Sequence, residues 1–562
     1  MHRHRYASLV LALLIPLCIF AGNPGNIQPK LNKVDSYEWK FFDVNTIQCT
    51  INSAGPYCDY LRTGTAGLFW PKGSGKTAVY TAGLWICGIH HPTDSIRTAL
   101  QWYQSEFQPG PILSTFNTTT NDTSAAANSS DLKYHLYKIN KGDGSLPAGQ
   151  RNPDYDNWPG DLGAPYIDVN GNGRWDKSID KPKLWGAQEL WCVYNDLNLK
   201  NHYRTGTTMP MGFEVQTTYY GFHENGVLDN TMFVRWKIIN KSDADYDSVF
   251  VSLWSDTDLG DGNDDMIGCD SLLNMVYTYN GDNNDRMYGS RPPADGFILL
   301  QGPKVPGGAK DSALSEGRWI NGYRDLYAIS SVFFPLIFDT GPPLGNSNNA
   351  MEAYEFQRGL NGYTHLPFLD PTTGKTSKFV FSGDPVTDSG WTMVKSGLPP
   401  LDVRSMISSG PFTLAKGDTQ EIVGCFLIAQ GSDRLNSITK LHLFANIVRE
   451  DFYANYNFYE AEEPPVSTVV TPQSFSLSQN FPNPFNPNTK FSYTVPDFMY
   501  PYPVRLAIFN TLGQEVAVLV NGPKAAGTYD VVWDASRLPS GIYFCKLSIA
   551  GYMETKKMVL LK

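Results

Sequence analysis

The segment from Met211 to Trp254 constrains the fold most. Thr231–Asn240 alternates through its centre, with Phe233, Arg235 and Lys237 opposing Val234, Trp236 and Ile238. Met211–Phe222 before it is crowded with β-branched and aromatic residues, and Ser248–Val-Phe-Val-Ser-Leu-Trp254 follows a turn-rich connection, Asn240–Asp247. Successive antiparallel strands with turn clusters between them predict an all-β chain built on a β-sandwich. The composition agrees, because 13% aromatics with 50 Gly and 38 Pro suit strands joined by tight turns.

Other stretches extend this reading. Thr77–Cys87 reads as a strand, a turn at Gly83 and the start of a second strand. Ser408–Ala429 reads as two strands joined at Lys416-Gly-Asp418, a hairpin by its turn chemistry. A single helix is expected from Leu435 to about Tyr453, capped by Ser432-Asp-Arg434. Leu435, Ile438, Leu441, Phe444, Ile447, Val448 and Phe452 keep roughly the helical period, a stripe that suits packing on the sandwich.

The N-terminus places basic Arg3 and Arg5 before an apolar run, Ala7–Phe20, that ends at Ala21-Gly22. This is the pattern of a cleavable secretory signal peptide over residues 1–21, too short for a membrane span, and Leu17 is too bulky for a lipobox before Cys18. No later apolar run reaches membrane-spanning length. The net charge is −10, and it becomes −12 once Arg3 and Arg5 leave. An acidic chain without a basic cluster argues against nucleic acid and anionic membrane as partners. Of eight cysteines Cys18 leaves with the signal, and the other seven are too scattered for a disulfide framework or a CxxC metal site. Cys49 and Cys58 could close a small loop in an oxidising compartment. Glu462–Pro472, rich in Pro and small polar residues, reads as an extended linker. The expected domains are therefore the signal at 1–21, a β-rich body at 22–460, a linker at 461–473 and a terminal module at 474–562.

Two loops carry cation chemistry. Asp168-Val-Asn-Gly-Asn-Gly-Arg-Trp-Asp176 sets Asp168, Asn170 and Asn172 at alternate positions. A glycine follows at the sharp turn, then the Arg174 carbonyl and Asp176, as in the first part of an EF-hand-type loop. Ile179 stands where the bidentate acid is usual, and Asp180 one residue later is the candidate substitute. Asn, Gly and Asp in such a run also make turns stabilised by Asx hydrogen bonds alone. The second loop, Ser255–Asp270, holds six aspartates that repel one another unless solvated or joined by a cation. Asp256 and Asp258 at a strand end, with Asp261 and Asp265 across a Gly-rich turn, are candidate ligands for a second calcium. Neighbouring carboxylates also allow a glycosidase pair, which needs a separation that sequence spacing does not fix.

Enzyme motifs are sparse. The chain lacks HExxH, GxSxG and a GxGxxG after a strand, and seven scattered histidines make no zinc site. Lys72-Gly-Ser-Gly-Lys-Thr77 imitates a phosphate loop, but Trp70 occupies the position where that loop needs its first glycine.

The terminal module resembles the C-terminal sorting domain of type IX secretion cargo. The matching residues are Gln479-Asn-Phe-Pro-Asn-Pro-Phe-Asn-Pro-Asn-Thr489, Phe509–Val516, Ala526–Tyr529, Val532-Trp-Asp534, Leu538–Phe544 and the Lys556-Lys557 ending. The resemblance implies a small immunoglobulin-like β-module, similar to that of the flagellar hook-cap family, and the type IX machinery as partner. It also implies delivery to the outer-membrane surface or the extracellular space, with the module removed on arrival. Cys545 departs from the family's usual aromatic or apolar residue. The body is more loosely similar to uncharacterised surface proteins with the same tail, through Phe69–Val79, Asp256–Asp261, Gly268–Asp270 and Ser409–Leu414. The expected function is thus binding or adhesion toward an unknown surface ligand by a calcium-stabilised body. The alternative is a secreted hydrolase acting on polysaccharide or peptide.

Overall fold

A computed structural model describes residues 37–60, 64–103, 105–147, 149–202, 208–223, 226–335, 349–454, 476–495, 502–524, 527–549 and 552–562. The signal-peptide and linker expectations lie outside the described residues. The chain divides into two compact units, Met1–Tyr37 and Glu38–Lys562, and the strands and helices below belong to the second.

The body is all-β and rests on two large sheets. Among the described residues the first sheet has eight strands. Its long members run in the order Thr77–His90, Tyr246–Thr257, Val403–Leu414, Ala328–Pro335. The second has nine, with Asp265–Asp270, Met275–Asn280, Ala294–Gln301, Thr419–Ala429, Thr231–Asn240, Phe213–Gly221 and Gln188–Asn195 side by side. All these neighbours pair antiparallel. Inward-facing Trp85, Trp254, Tyr57, Tyr219 and Trp236 are buried in one continuous core, where Trp85 and Trp254 stack at 5.9 Å. Cys49 and Cys58 meet inside it without a disulfide bond, their sulfurs 3.3 Å apart.

Two connections differ from the sequence reading. The Lys416-Gly-Asp418 turn makes no hairpin: Val403–Leu414 lies in the first sheet and Thr419–Ala429 in the second. The chain crosses there as an arch, and Asn240–Tyr246 makes a neighbouring arch between Thr231–Asn240 and Tyr246–Thr257. The arches hold each other, since Asn240 N–H donates to Asp418 O, Gly417 N–H to Asn240 O and the Asn240 side-chain amide to Leu414 O. Turn residues fix how the backbone reverses but not whether the flanking strands pair, so both outcomes share one sequence signature. Gly83 likewise marks no turn, for Thr77–His90 is one continuous strand. Its missing Cβ leaves room for Gln101, whose Cβ would stand 2.5 Å from an added methyl and its carbonyl O 2.7 Å.

The expected helix spans Arg434–Ala454. Asp433 Oδ1 accepts from the Leu435 and Asn436 amides, which satisfies donors that the first turn leaves open. Ile438, Leu441, Ala445, Val448 and Phe452 are buried against the Ala294–Gln301 and Thr419–Ala429 strands. Each large side chain so covered contributes about 1.5–3 kcal/mol. Ala350–Gln357 is a second, shorter helix.

The tail is a small β-domain of its own. Ser476–Leu477, Asn488–Val495 and Gly527–Asp534 form one sheet; Glu515–Lys524, Tyr502–Asn510, Gly541–Ile549 and Tyr552–Leu560 form another. Alternate residues Phe491, Tyr493 and Val495, with Leu506, Ile508, Leu547 and Met558, make a separate core, and Cys545 fills an inward position there as a small apolar group. The Pro/Asn-rich motif fastens the start of the domain to its last strand. Asn483 Oδ1 accepts from Val559 N–H, Phe485 N–H donates to Val559 O, and the Phe485 ring packs on Trp533.

Candidate metal centre and surface cleft

The strand Tyr246–Thr257 pairs in register with Val403–Leu414, placing Asp256 opposite Arg404. That register draws Asp402, which precedes its strand, toward Asp256 and Asp258. One carboxylate oxygen from each of the three lies within 4.8 Å of the others, the single such group of acids among the described residues. Arg404 is the fixed cation beside them, with Nε 3.2 Å from Asp256 Oδ1 and Nη1 2.6 Å from Asp402 Oδ1. Tyr103 completes the network: its hydroxyl donates to Asp256 Oδ2 at 2.6 Å and accepts from Arg404 Nε at 2.7 Å.

Charge does not balance here. One guanidinium faces three carboxylates, and among the described residues no group hydrogen-bonds the Asp258 side chain. Burial, reinforced by Asp402 and opposed by Arg404, pushes Asp258 up to about 7. Burial also lifts Asp256 well above the usual carboxylate range against the pull of Arg404. Either protons or an added cation relieves such a group.

Of the residues read from sequence, Asp256 and Asp258 come together as expected, but Asp261 and Asp265 do not join them. Asp261 Oδ1 accepts from Asn263 and its Oδ2 faces Arg286, while Asp265 is buried with Oδ2 accepting from Leu259 N–H. Asp402 and Arg404 escaped sequence reasoning because strand pairing brings them to the site, and Tyr103 because it reaches the site from outside any strand; an acid and a base two apart at a strand start are no local signal.

In the Asp168 loop the oxygens are occupied by the loop's own backbone. Asp168 accepts from the Gly171, Asn172 and Gly173 amides, Asn170 from Asn172, and Asn172 from Arg174. Asp176 accepts from Ser178, and Asp180 returns to take the Val169 and Asp176 amides. The geometry is a set of Asx turns closed by Asp180.

A cleft of about 760 Å³ opens on the outer face of the second sheet. Trp191, Thr218 and Arg235 lie abreast on its floor, as do Gln216, Lys237 and Glu421. Arg235 is buried in an ion pair with Glu421, and its guanidinium carbon sits 3.9 Å from the Trp185 ring centroid. Beneath Trp185, Glu189 is fully buried; Oε2 accepts from Trp185 N–H at 3.0 Å and Oε1 has no hydrogen-bond partner among the described residues. Burial, opposed by that amide and by Arg235 and Lys183, pushes its carboxyl up to about 8. The Lys72–Lys76 segment, by contrast, is an exposed turn in which Trp70 N–H bonds to Lys76 O.

The family model described as a secretion system C-terminal sorting domain matches residues 479–561, the β-domain just described apart from its short first strand Ser476–Leu477. The tail is a type IX sorting module. This chain is therefore type IX secretion cargo, exported to the outer-membrane surface or the extracellular space. Its tail implies an interaction with the type IX machinery. Among the described residues no helix is long and apolar enough to cross a membrane. No curated protein matches the sequence. Among solved structures a polysaccharide lyase aligns at 7% identity and a TM-score of 0.16, over 62% of this chain and 34% of its own. At that score the alignment supports neither a shared fold nor a shared activity.

Proposed function

We propose that this cargo is a surface-displayed binding protein whose β-sandwich body is stiffened by calcium. The observation that carries the reading is the convergence of Asp256, Asp258 and Asp402 with a single guanidinium between them. Oxygen ligands converging on one point suit a hard cation. A glycosidase pair stands roughly 5–9.5 Å apart, leaving room for a sugar bond or a water, so crowded acids favour the cation. Arg404 and Tyr103 hold Asp256 in place and Arg404 also pairs with Asp402 Oδ1, leaving Asp258 and the second Asp402 oxygen to offer. The cleft over Trp191, Arg235 and Glu421 is the concave surface this reading offers to a ligand.

Melting of the purified protein with excess calcium and with chelator tests the cation. At calcium 100-fold above its dissociation constant the folded state gains about 2.7 kcal/mol, a shift of several degrees. The Asp402→Asn variant should lose the part of that shift that this group supplies while melting normally in chelator. Equal midpoints for the wild type in calcium and in chelator would remove calcium from the reading.

A further inference from the structure

A second group of acceptors lies between the two sheets, on residues other than the three aspartates above. The register places Asp265 opposite Asn280, and Thr278 opposite Asp295, so all four side chains share the inner face of the second sheet. Asp265, Asn280 and Asp295 have no solvent exposure. Donors are too few for them. Asp265 Oδ2 takes the Leu259 amide at 3.1 Å, but among the described residues Asp265 Oδ1, both Asp295 oxygens and the Asn280 amide oxygen have no hydrogen-bond partner. The Thr257 and Thr278 hydroxyls, 2.9 Å apart, spend one of their two protons on each other. The groups acting on Asp265 besides the Leu259 amide are further acids, Asp295, Asp258 and Asp264. An unpaired buried polar oxygen costs about 1–3 kcal/mol, and a charged one more, so leaving four of them unmatched on one buried face is costly.

We propose that Asp265, Asp295 and the Asn280 amide oxygen hold a buried hard divalent cation of the calcium class between the sheets. Carboxylate, amide and hydroxyl oxygens make an all-oxygen donor set, which selects calcium over the nitrogen- and sulfur-seeking metals. Asn280 already turns its amide N–H toward Asp282 O at 3.1 Å, which leaves Oδ1 as its free end. Burial raises both carboxyls well above the usual range. Two shared protons are accordingly the competing occupant, and the two occupants predict opposite results.

The test counts metal by plasma mass spectrometry in the full-length protein, expressed with calcium and desalted without chelator. Asp402→Asn, which disables only the group beside Arg404, should retain one tightly held equivalent; Asp295→Asn should lose that equivalent and melt several degrees lower in calcium. An Asp402→Asn protein holding no metal would overturn the proposal, whatever becomes of the other variant. So would an Asp295→Asn protein that keeps the wild-type metal count and melts higher, since a neutral amide replaces a protonated acid without loss. Failure of calcium at Asp256, Asp258 and Asp402 would appear instead as an unchanged count on Asp402→Asn.

Discussion

Glu189 offers a quantitative check on the packing beneath the cleft. Its carboxyl moves from an ordinary value of 4.5 to about 8 on folding. A raised acid binds its proton more tightly in the folded state, so between those two values the folded chain holds a proton that the unfolded chain has released. Stability therefore falls as pH rises through this window, by about 1.4 kcal/mol per pH unit, and levels off above pH 8. Summed from pH 5 to pH 9 the loss is about 4 kcal/mol. Glu189→Gln keeps the shape and the acceptor for Trp185 N–H but has no proton to lose. Urea unfolding at pH 5, 7 and 9 should then show the variant gaining on the wild type by about 3–4 kcal/mol across the range. Parallel wild-type and variant stabilities from pH 5 to pH 9 would refute the argument, because they would mean that Glu189 titrates alike folded and unfolded.

Three further outcomes follow from other parts of the fold. Asp154 behaves in the opposite sense: burial works against it, but hydrogen bonds from His135, Lys40 and the Lys138 amide hold it down to about 2. Its contribution of about 2 kcal/mol is present above pH 4 and disappears as pH falls toward 2, so Asp154→Asn should flatten the acid limb of the stability curve. Gly83→Ala drives a methyl into Gln101 backbone and side-chain atoms at 2.5–3.0 Å and should cost about 1–3 kcal/mol or more by thermal unfolding. Gly522→Ala, with nothing within 4 Å, should cost far less. Removing residues 479–561 should leave the body folded but inside the cell envelope, as read by protease accessibility of whole cells; surface display without them would contradict the sorting role.

Much of the architecture was legible because strand and helix signals are local. Thr231–Asn240 shows its alternation, and Asp433 caps the helix where an acid before the apolar stripe says it should. What stayed hidden depends on which strands become neighbours. The Lys416-Gly-Asp418 and Asn240–Tyr246 turns look like hairpin turns, yet they bridge sheets because Thr419–Ala429 finds Thr231–Asn240 and Val403–Leu414 finds Tyr246–Thr257. The acid sites share that dependence. Asp256 and Asp258 were visible as a dense acidic run, whereas Asp402 and Asp295 sit in unremarkable sequence and gain meaning only from register. Glu189 looks like an ordinary outward residue of an alternating strand until Trp185 covers it.

The positions of the acids also say what a bound cation would do mechanically. Asp256 ends a strand of the first sheet, Asp265 begins a strand of the second, and the chain between them is the crossing that joins the sheets at the end opposite the two arches. This crossing is held by hydrogen bonds of its own: Gly260 N–H bonds to Thr77 O, Asp261 N–H to Asp285 Oδ2, Gly281 N–H to Asp264 O, Leu259 N–H to Asp265 Oδ2, and Leu401 N–H to Asp265 O. The arches are fastened to each other by backbone and by Asn240, without the three-acid group found at the crossing. Cations at one end and hydrogen bonds at the other would clamp the sandwich from both sides. Hydrogen exchange before and after chelation separates this from diffuse stabilisation. Amides from 258 to 265 and around 401 to 404 should exchange faster once metal is removed, while those of 240–246 and 414–419 keep their protection. A uniform rise along the body would mean that metal acts on global stability alone, and the clamp would have to be abandoned.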